Sequence, residues 1–339
     1  MANYSATVLL AALTQLQDKS NKDLRAPAYG ATRAFNDYKR DVIFNYDAFK
    51  NSDQSGLRTM QVDYLRRSTA AVHATRSSDL TGDMGDSTRS SLTFVTYSRE
   101  LTVSDDNAKY NTFNAARQLA TQIINARLDL GASIETAAVT MLETYLNQVQ
   151  GNRNLSTWDS TNYHGSISAA NEDRYFNIIE NEMQQLDYNG PLQLINFGSL
   201  NELKSWQFAQ GQANSANLNF QYGNKSFYTS NSITNSSDHF GTTYACEEGS
   251  LGLVDWIPGK NRGSGLKNHA EWDFVNMPDP MGIFDQLAVA VQKKVQNSTA
   301  SGGDTQDAVW LYEISLNVAF FIPTITTQKL VNKYVLSKT

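Results

Sequence analysis

The residue types that most often carry chemistry are few in this chain and scattered. There is one cysteine, Cys246. A nucleophilic thiolate needs a histidine and a polar orienting group beside it in space. The four histidines, His73, His164, His239 and His269, are isolated in sequence, so Cys246 reads as a buried or incidental thiol. Asp79, Asp83 and Asp86 stand near glycines, as calcium ligands do. Their spacing and the missing terminal Glu break the EF-hand pattern, and a solvated turn accounts for them. Glu247 and Glu248 follow Cys246 with no histidine nearby and read as a charged loop. Gly259, Gly263 and Gly265 make the nearest approach to a phosphate-binding loop, but no clear helix follows them. The Gly-x-Ser-x-Gly and His-Glu-x-x-His patterns are absent. Sequons at Asn3, Asn154, Asn224, Asn235 and Asn297 are expected by chance in so Asn-rich a chain. Trp158, Trp206, Trp256, Trp272 and Trp310 sit in helix and strand patterns that suit core or interface better than a sugar-binding face. No catalytic, cofactor-binding or metal-ligating residue is assigned, and the chain is expected not to be an enzyme.

Composition narrows the classes further. The chain has 339 residues, enough for two domains or one elaborated domain, with 40% hydrophobic and 18% charged residues. The charged share is below the roughly 25% of an average soluble protein. Asn, Gln, Ser and Thr supply the polarity instead, and such side chains suit wet, hydrogen-bonded contacts. A net charge of −6 and a pI near 5.3 do not fit a basic nucleic-acid binder. The single cysteine excludes an intrachain disulfide and points to a reducing compartment. The start of the chain lacks a basic n-region, and the apolar run around Phe320 is too short to span a bilayer. A soluble, intracellular product is expected.

The elements that would position these residues can be read in order. Residues 6–17 suit a short helix carrying Val8, Leu9, Leu13 and Leu16. From 17 to 66 the chain is polar and mixed, with Tyr38, Phe44, Tyr46 and Phe49 among charges, and it suits an arm more than a compact core. Segments 68–79 and 91–104 are predicted strands around a turn at 80–87. Such strands would reach about 40–45 Å at about 3.3 Å per residue. An isolated hairpin of that kind is marginal in water, so it needs a sheet, a helix or another chain beneath it.

Residues 106–150 carry helical spacing through Phe113, Ala116, Ala120, Ile123, Ile124 and Arg127, then Ile134, Ala138, Met141, Leu142, Tyr145 and Val149. A break is predicted at Gly131, with Ser133 as the N-cap of a second helix. Further helices are predicted at 171–188 and 199–209. Strands are predicted at 192–197, 227–229, 243–245, 251–257, 308–321 and 329–336. The stretch 272–295 mixes loop and apolar pattern, and no internal repeat is visible.

This order runs polar arm, long hairpin, long helix, mixed region and returning apolar strand. It resembles that of the major capsid proteins of tailed bacteriophages, which share the HK97-like fold. The resemblance implies an α+β chain divided into an N-terminal arm (1–66), an extended β-hairpin loop (67–104) and a peripheral domain with a spine helix (105–170). An axial domain (171–281) and strands returning to the peripheral domain (282–339), among them Glu313 to Phe320, would follow. It implies a virion shell subunit, assembled in the bacterial host cytoplasm, that forms hexamers and pentamers with copies of itself. Portal, scaffolding or decoration proteins are implied partners. DNA would be enclosed without sequence-specific contacts, and no membrane or cofactor would be involved. Some members crosslink through a Lys and an Asn; no such pair can be placed here. An encapsulin-like compartment subunit and a polysaccharide-binding or surface-layer protein are the alternatives.

Overall fold

The computed structural model describes residues 28–43, 46–47, 59–66, 86–104, 115–146, 155–186, 188–199, 225–257, 272–297, 306–323 and 330–338. The expected helix at 6–17, the expected strand at 68–79, the helix expected after Ser199 and the glycine loop around Gly259 lie outside these residues.

In chain order the elements begin with helices α1 (Gly30–Asp37) and α2 (Lys39–Val42), then strands β1 (Thr59–Arg66), β2 (Asp86–Thr93) and β3 (Val95–Ser104). Helix α3 (Ala115–Thr144) follows, then β4 (Thr157–Asp159), β5 (His164–Ser168), a 3₁₀ turn (Ala169–Arg174) and α4 (Tyr175–Gln184). The remainder is β6 (Leu192–Phe197), β7 (Lys225–Thr229), β8 (His239–Glu247), β9 (Gly252–Trp256), β10 (Trp272–Pro278), β11 (Gln286–Asn297), β12 (Gln306–Phe321) and β13 (Val331–Ser337). The fold is α+β.

Two larger sheets organise it. One runs β10-β11-β12-β3, with β9 also on β12. Val318 pairs with both Val95 and Asp255, so β9 lies on the side of β12 opposite β3. Alternation in β12 sends Tyr312, Ile314, Leu316 and Val318 into the core, where α3 covers β3 and β12. The other sheet runs β4-β5-β13-β8-β6-β7, with parallel pairs at β13–β5 and β6–β7. Helix α4 buries Tyr175, Ile178, Ile179 and Met183, the face expected from its spacing. One apolar core connects both sheets and α3.

Three expectations are corrected. Helix α3 is a single rod of 30 residues, about 45 Å long, with no break at Gly131. A Cβ on Gly131 would stand 2.6 Å from the Tyr29 ring, so this glycine serves a close approach. Ser133 is not an N-cap. It lies inside the helix and its Oγ donates to the Asp129 carbonyl at 3.0 Å. Part of the polar segment before Arg66 belongs to the core: Tyr29, Ala31, Ala34 and Phe35 are buried against α3 and the six-stranded sheet. Strand β13 sits inside the six-stranded sheet, between β5 and β8. Its apolar residues pack on both faces there, Val331, Tyr334, Val335 and Leu336 being buried.

Candidate functional site

The residues singled out as candidates for chemistry are mostly absorbed into structure. Cys246 is buried in β8, with its Sγ 3.6 Å from the Gln193 carbonyl, and burial pushes its thiol pKa up. The Glu247 carboxylate accepts from the Gly190 amide at 2.9 Å, and Glu248 accepts from Ser226 Oγ at 3.0 Å. Asp86 opens β2 opposite Arg66, while Asp79 and Asp83 are outside the described residues. Asn235 is turned inward, its Nδ2 donating to the carbonyls of Phe197 at 3.3 Å and Phe240 at 3.4 Å. Trp256 is core. His164 and His239, distant in sequence, are brought into ring contact. Among the described residues no group of three or more His, Cys, Asp or Glu side chains could hold a metal ion. No described helix is long and apolar enough to cross a membrane.

The feature that stands apart is the hairpin. Strands β1 and β2 pair antiparallel from Thr59↔Thr93 to Arg66↔Asp86, and no third described strand joins them. The ladder therefore starts earlier than the 68–79 strand expected from sequence. Residues 67–85 lie beyond its last pair. On the other side of Phe94 the chain continues as β3, whose partner is β12. One extended run thus changes sheets at Phe94.

The sequence pattern explains that pivot. Val62 and Leu92, on one face of the hairpin, are buried, whereas Gln61, Arg89, Ser91 and Thr93 on the other face are exposed. The buried pair joins a small separate core with Ile43, Tyr46, Phe94, Val254, Trp256, Ala319 and Phe321. The Phe94 and Trp256 rings meet at 5.6 Å. Tyr46 Oη donates to Asp255 Oδ1 at 2.8 Å. Burial, and then the Asp255 charge, raises the Tyr46 pKa and keeps it a neutral donor. This core fixes the hairpin at its base.

Helix α3 supplies the second distinctive surface. Ile123, Ile124, Arg127, Leu130, Ile134, Ala138 and Leu142 face inward. Ser133, Thr136, Thr140 and Thr144 lie on the exposed side, each hydroxyl donating to the carbonyl four residues back, at 2.8–3.0 Å. These hydroxyls form a polar strip that shares the exposed side with the carboxylates of Asp129 and Glu143. Among the described strands β3 is at the edge of its sheet. Thr96, Ser98, Glu100 and Thr102 point outward from it, and Val95 is 51% exposed. Open edges of this kind are sites of strand or chain addition.

No protein-family model matches the chain, and no curated protein matches it. Similar solved structures include one titled Mycobacterium phage Che8, at 9% identity, 88% coverage of this chain, 90% of that chain and a TM-score of 0.49. The capsid asymmetric unit of cyanophage A-1(L) is similar at 11% identity, with 93% of this chain and 94% of that chain covered and a TM-score of 0.49. The capsid of Ralstonia phage GP4 is similar at 10% identity, with 94% and 93% covered and a TM-score of 0.47.

Proposed function

We propose that this chain is a structural shell subunit, the major capsid protein of a tailed bacteriophage, which self-assembles into an icosahedral shell around a genome. The observation that carries the reading is the β1–β2 ladder, which among the described residues is a two-stranded sheet with its anchoring core at its base. Two strands alone are marginal in water, and a neighbouring copy would supply the missing burial. The hydroxyl-bearing strip on the exposed side of α3 and the edge position of β3 among the described strands suit many weak contacts repeated around closed rings. A net charge of −6 supports enclosure of DNA without a cationic grip.

In this reading the peripheral unit comprises α3 with β3 and β9–β12, and the axial unit comprises β4–β8, β13 and α4. The hairpin reaches a neighbour, the chain does no catalysis, and hexamers and pentamers are the assembly units. Portal, scaffolding or decoration proteins complete the particle, which is built in the host cytoplasm.

The test is a concentration series of the purified chain followed by size exclusion and negative-stain electron microscopy. Rings or shells are expected. A monodisperse monomer at every concentration would sink the reading. A variant in which a short Gly-Ser turn replaces residues 67–85 keeps the β1–β2 ladder. It is expected to retain the wild-type circular dichroism and melting temperature while losing assembly. Shells from that variant would remove the bridging role of the hairpin. Nucleic acid inside particles recovered from the natural source supports the phage reading, and protein cargo alone would contradict it.

A further inference from the structure

His164 opens β5 and His239 opens β8, the two strands on either side of β13. Their rings meet edge to face, with centroids 5.6 Å apart and planes at 76°. His164 is buried and His239 half-buried.

Four charged groups act on the pair: Asp159 from β4, Asp238 just before β8, Lys333 from β13 and Lys338 just after it. The Asn162 carbonyl accepts from the His164 ring. The two carboxylates already have partners. Asp159 accepts from the Thr161 amide, the Asn162 amide and Asn162 Nδ2, at 2.7–3.1 Å. Asp238 Oδ1 accepts from Ser237 Oγ at 3.3 Å. Lys333 is tied to Glu143 of α3 at 2.7 Å and stands over the Tyr244 ring. Lys338 donates to the Ser237 carbonyl at 2.6 Å.

We propose that the His164–His239 contact is an acid-sensitive clasp: neutral, it lets β5 and β8 close on β13, and doubly protonated it releases the β4–β5 edge of the sheet. Two imidazolium rings in contact would repel each other and Lys333, in a site where desolvation already disfavours charge. The β4–β5 hairpin is the element to give way. β4 has three residues at the edge of the sheet, and β5 is held on its other side by a parallel pairing with β13. Burial lowers both histidine pKa values, and Asp159 for His164 and Asp238 for His239 oppose it in part; Lys333 adds to the lowering at both rings, the His239 ring adds to it at His164 and Lys338 at His239.

The sign follows. A released histidine titrates near 6.5, whereas the closed state binds its proton only at lower pH. Closure is therefore fully favoured above about pH 6.5 and weakens as the pH falls below it, with a slope that approaches at most about tenfold per pH unit for each histidine and levels off once the closed state is itself protonated. The clasp lies within one chain, so its test does not depend on assembly.

The experiment is hydrogen exchange of the full chain by mass spectrometry at pH 7.5, 6.5 and 5.5, corrected for intrinsic rates. Protection of residues 157–168 is expected to fall between pH 7.5 and 5.5 by up to about a hundredfold, about tenfold for each histidine, while that of residues 123–138 holds. His164→Gln and His239→Gln are each expected to flatten the dependence. A uniform loss along the chain, or an unchanged dependence in both variants, would overturn the proposal. Should either variant fail to fold, the double variant His73→Gln/His269→Gln leaves only the clasp histidines for a proton NMR titration. Both are expected to titrate below 6.5, and values at or above it would refute the clasp.

Discussion

Arg127 of α3 and Asp279 of the turn between β10 and β11 form a two-pronged ion pair. Nε lies 2.6 Å from Oδ1 and Nη2 lies 2.9 Å from Oδ2, with the side chains 1% and 0% exposed. Asp279 also accepts from the amides of Met281, Ile283 and Phe284, at 3.0–3.1 Å, and the Arg127 guanidinium lies over the Phe284 ring. The pair fastens the long helix to the turn that brings β10 back against β11. Burial alone would push the Asp279 carboxyl up. The Arg127 bond and charge, with the Phe284 and Met281 amides, more than offset that and hold it below the usual carboxylate range.

Asp279→Asn leaves a buried guanidinium without its counter-charge, so a loss of about 3–5 kcal/mol in urea unfolding is expected. Because the folded carboxyl titrates below its unfolded value, its contribution is present above about pH 4 and is lost as the pH falls through the folded value. The gap between wild type and variant should hold steady at neutral pH and shrink only in acid. A gap that is absent at pH 7 would show that the pair contributes nothing net.

Gly131 gives a second prediction, because helix propensity and packing pull in opposite directions there. Ala in place of Gly gains up to about 1 kcal/mol in an exposed helix interior. Here the new Cβ would lie 2.6 Å from Tyr29 Cζ and 2.9 Å from Arg127 Nη1, and the Tyr29 hydroxyl is held by the Leu128 carbonyl at 3.0 Å. Gly131→Ala is expected to lose about 1–3 kcal/mol net, the cost of overpacking. Adding Tyr29→Leu to it should cost less than the two separate changes summed, measured by a double-mutant cycle. Stabilisation by Gly131→Ala alone would refute the close-approach account.

The two residues also mark what the sequence could and could not show. Local pattern placed α4, β12 and β6: the first two each bury one face that repeats or alternates within the element, and β6 is a short run buried on both faces. The break predicted at Gly131 failed because the reason for that glycine, the Tyr29 ring, lies about a hundred positions away. Likewise the shift of the hairpin to Thr59–Arg66 depends on the small core around Trp256, which only the folded chain assembles. The meeting of His164 and His239 was equally hidden, since it depends on the order of strands around β13.

Glu135 pins the N-terminus of α1 from a distance. Its carboxylate accepts from the Ala31 and Thr32 amides, both at 2.8 Å, and from Thr32 Oγ1 at 2.6 Å, all buried. Tyr29, the residue before the helix, makes no side-chain cap, so α3 provides the acceptor that α1 lacks. Glu135→Ala strands buried donors and should destabilise the docking by about 1–3 kcal/mol. Trypsin is expected to cut at the exposed Arg33 faster in this variant than in wild type, and Glu135→Gln should fall between them. Equal cleavage rates in all three would mean that packing alone holds α1.

Cys246 supplies a readout that needs no mutation. It is the one thiol in the chain, wholly buried in β8 between β13 and β6, and desolvation raises its pKa. The thiolate is the reactive form, so a buried neutral thiol is shielded twice, by access and by protonation. A disulfide reagent at pH 8 is expected to leave the native chain unlabelled over hours and to label it stoichiometrically in denaturant. Because β8 lies inside the six-stranded sheet, labelling in intermediate urea should follow unfolding of that sheet and rise with the far-ultraviolet transition. If Cys246 reacts promptly in the native chain, the sheet opens locally at far lower cost than its packing implies, and the thiol is an accessible nucleophile after all.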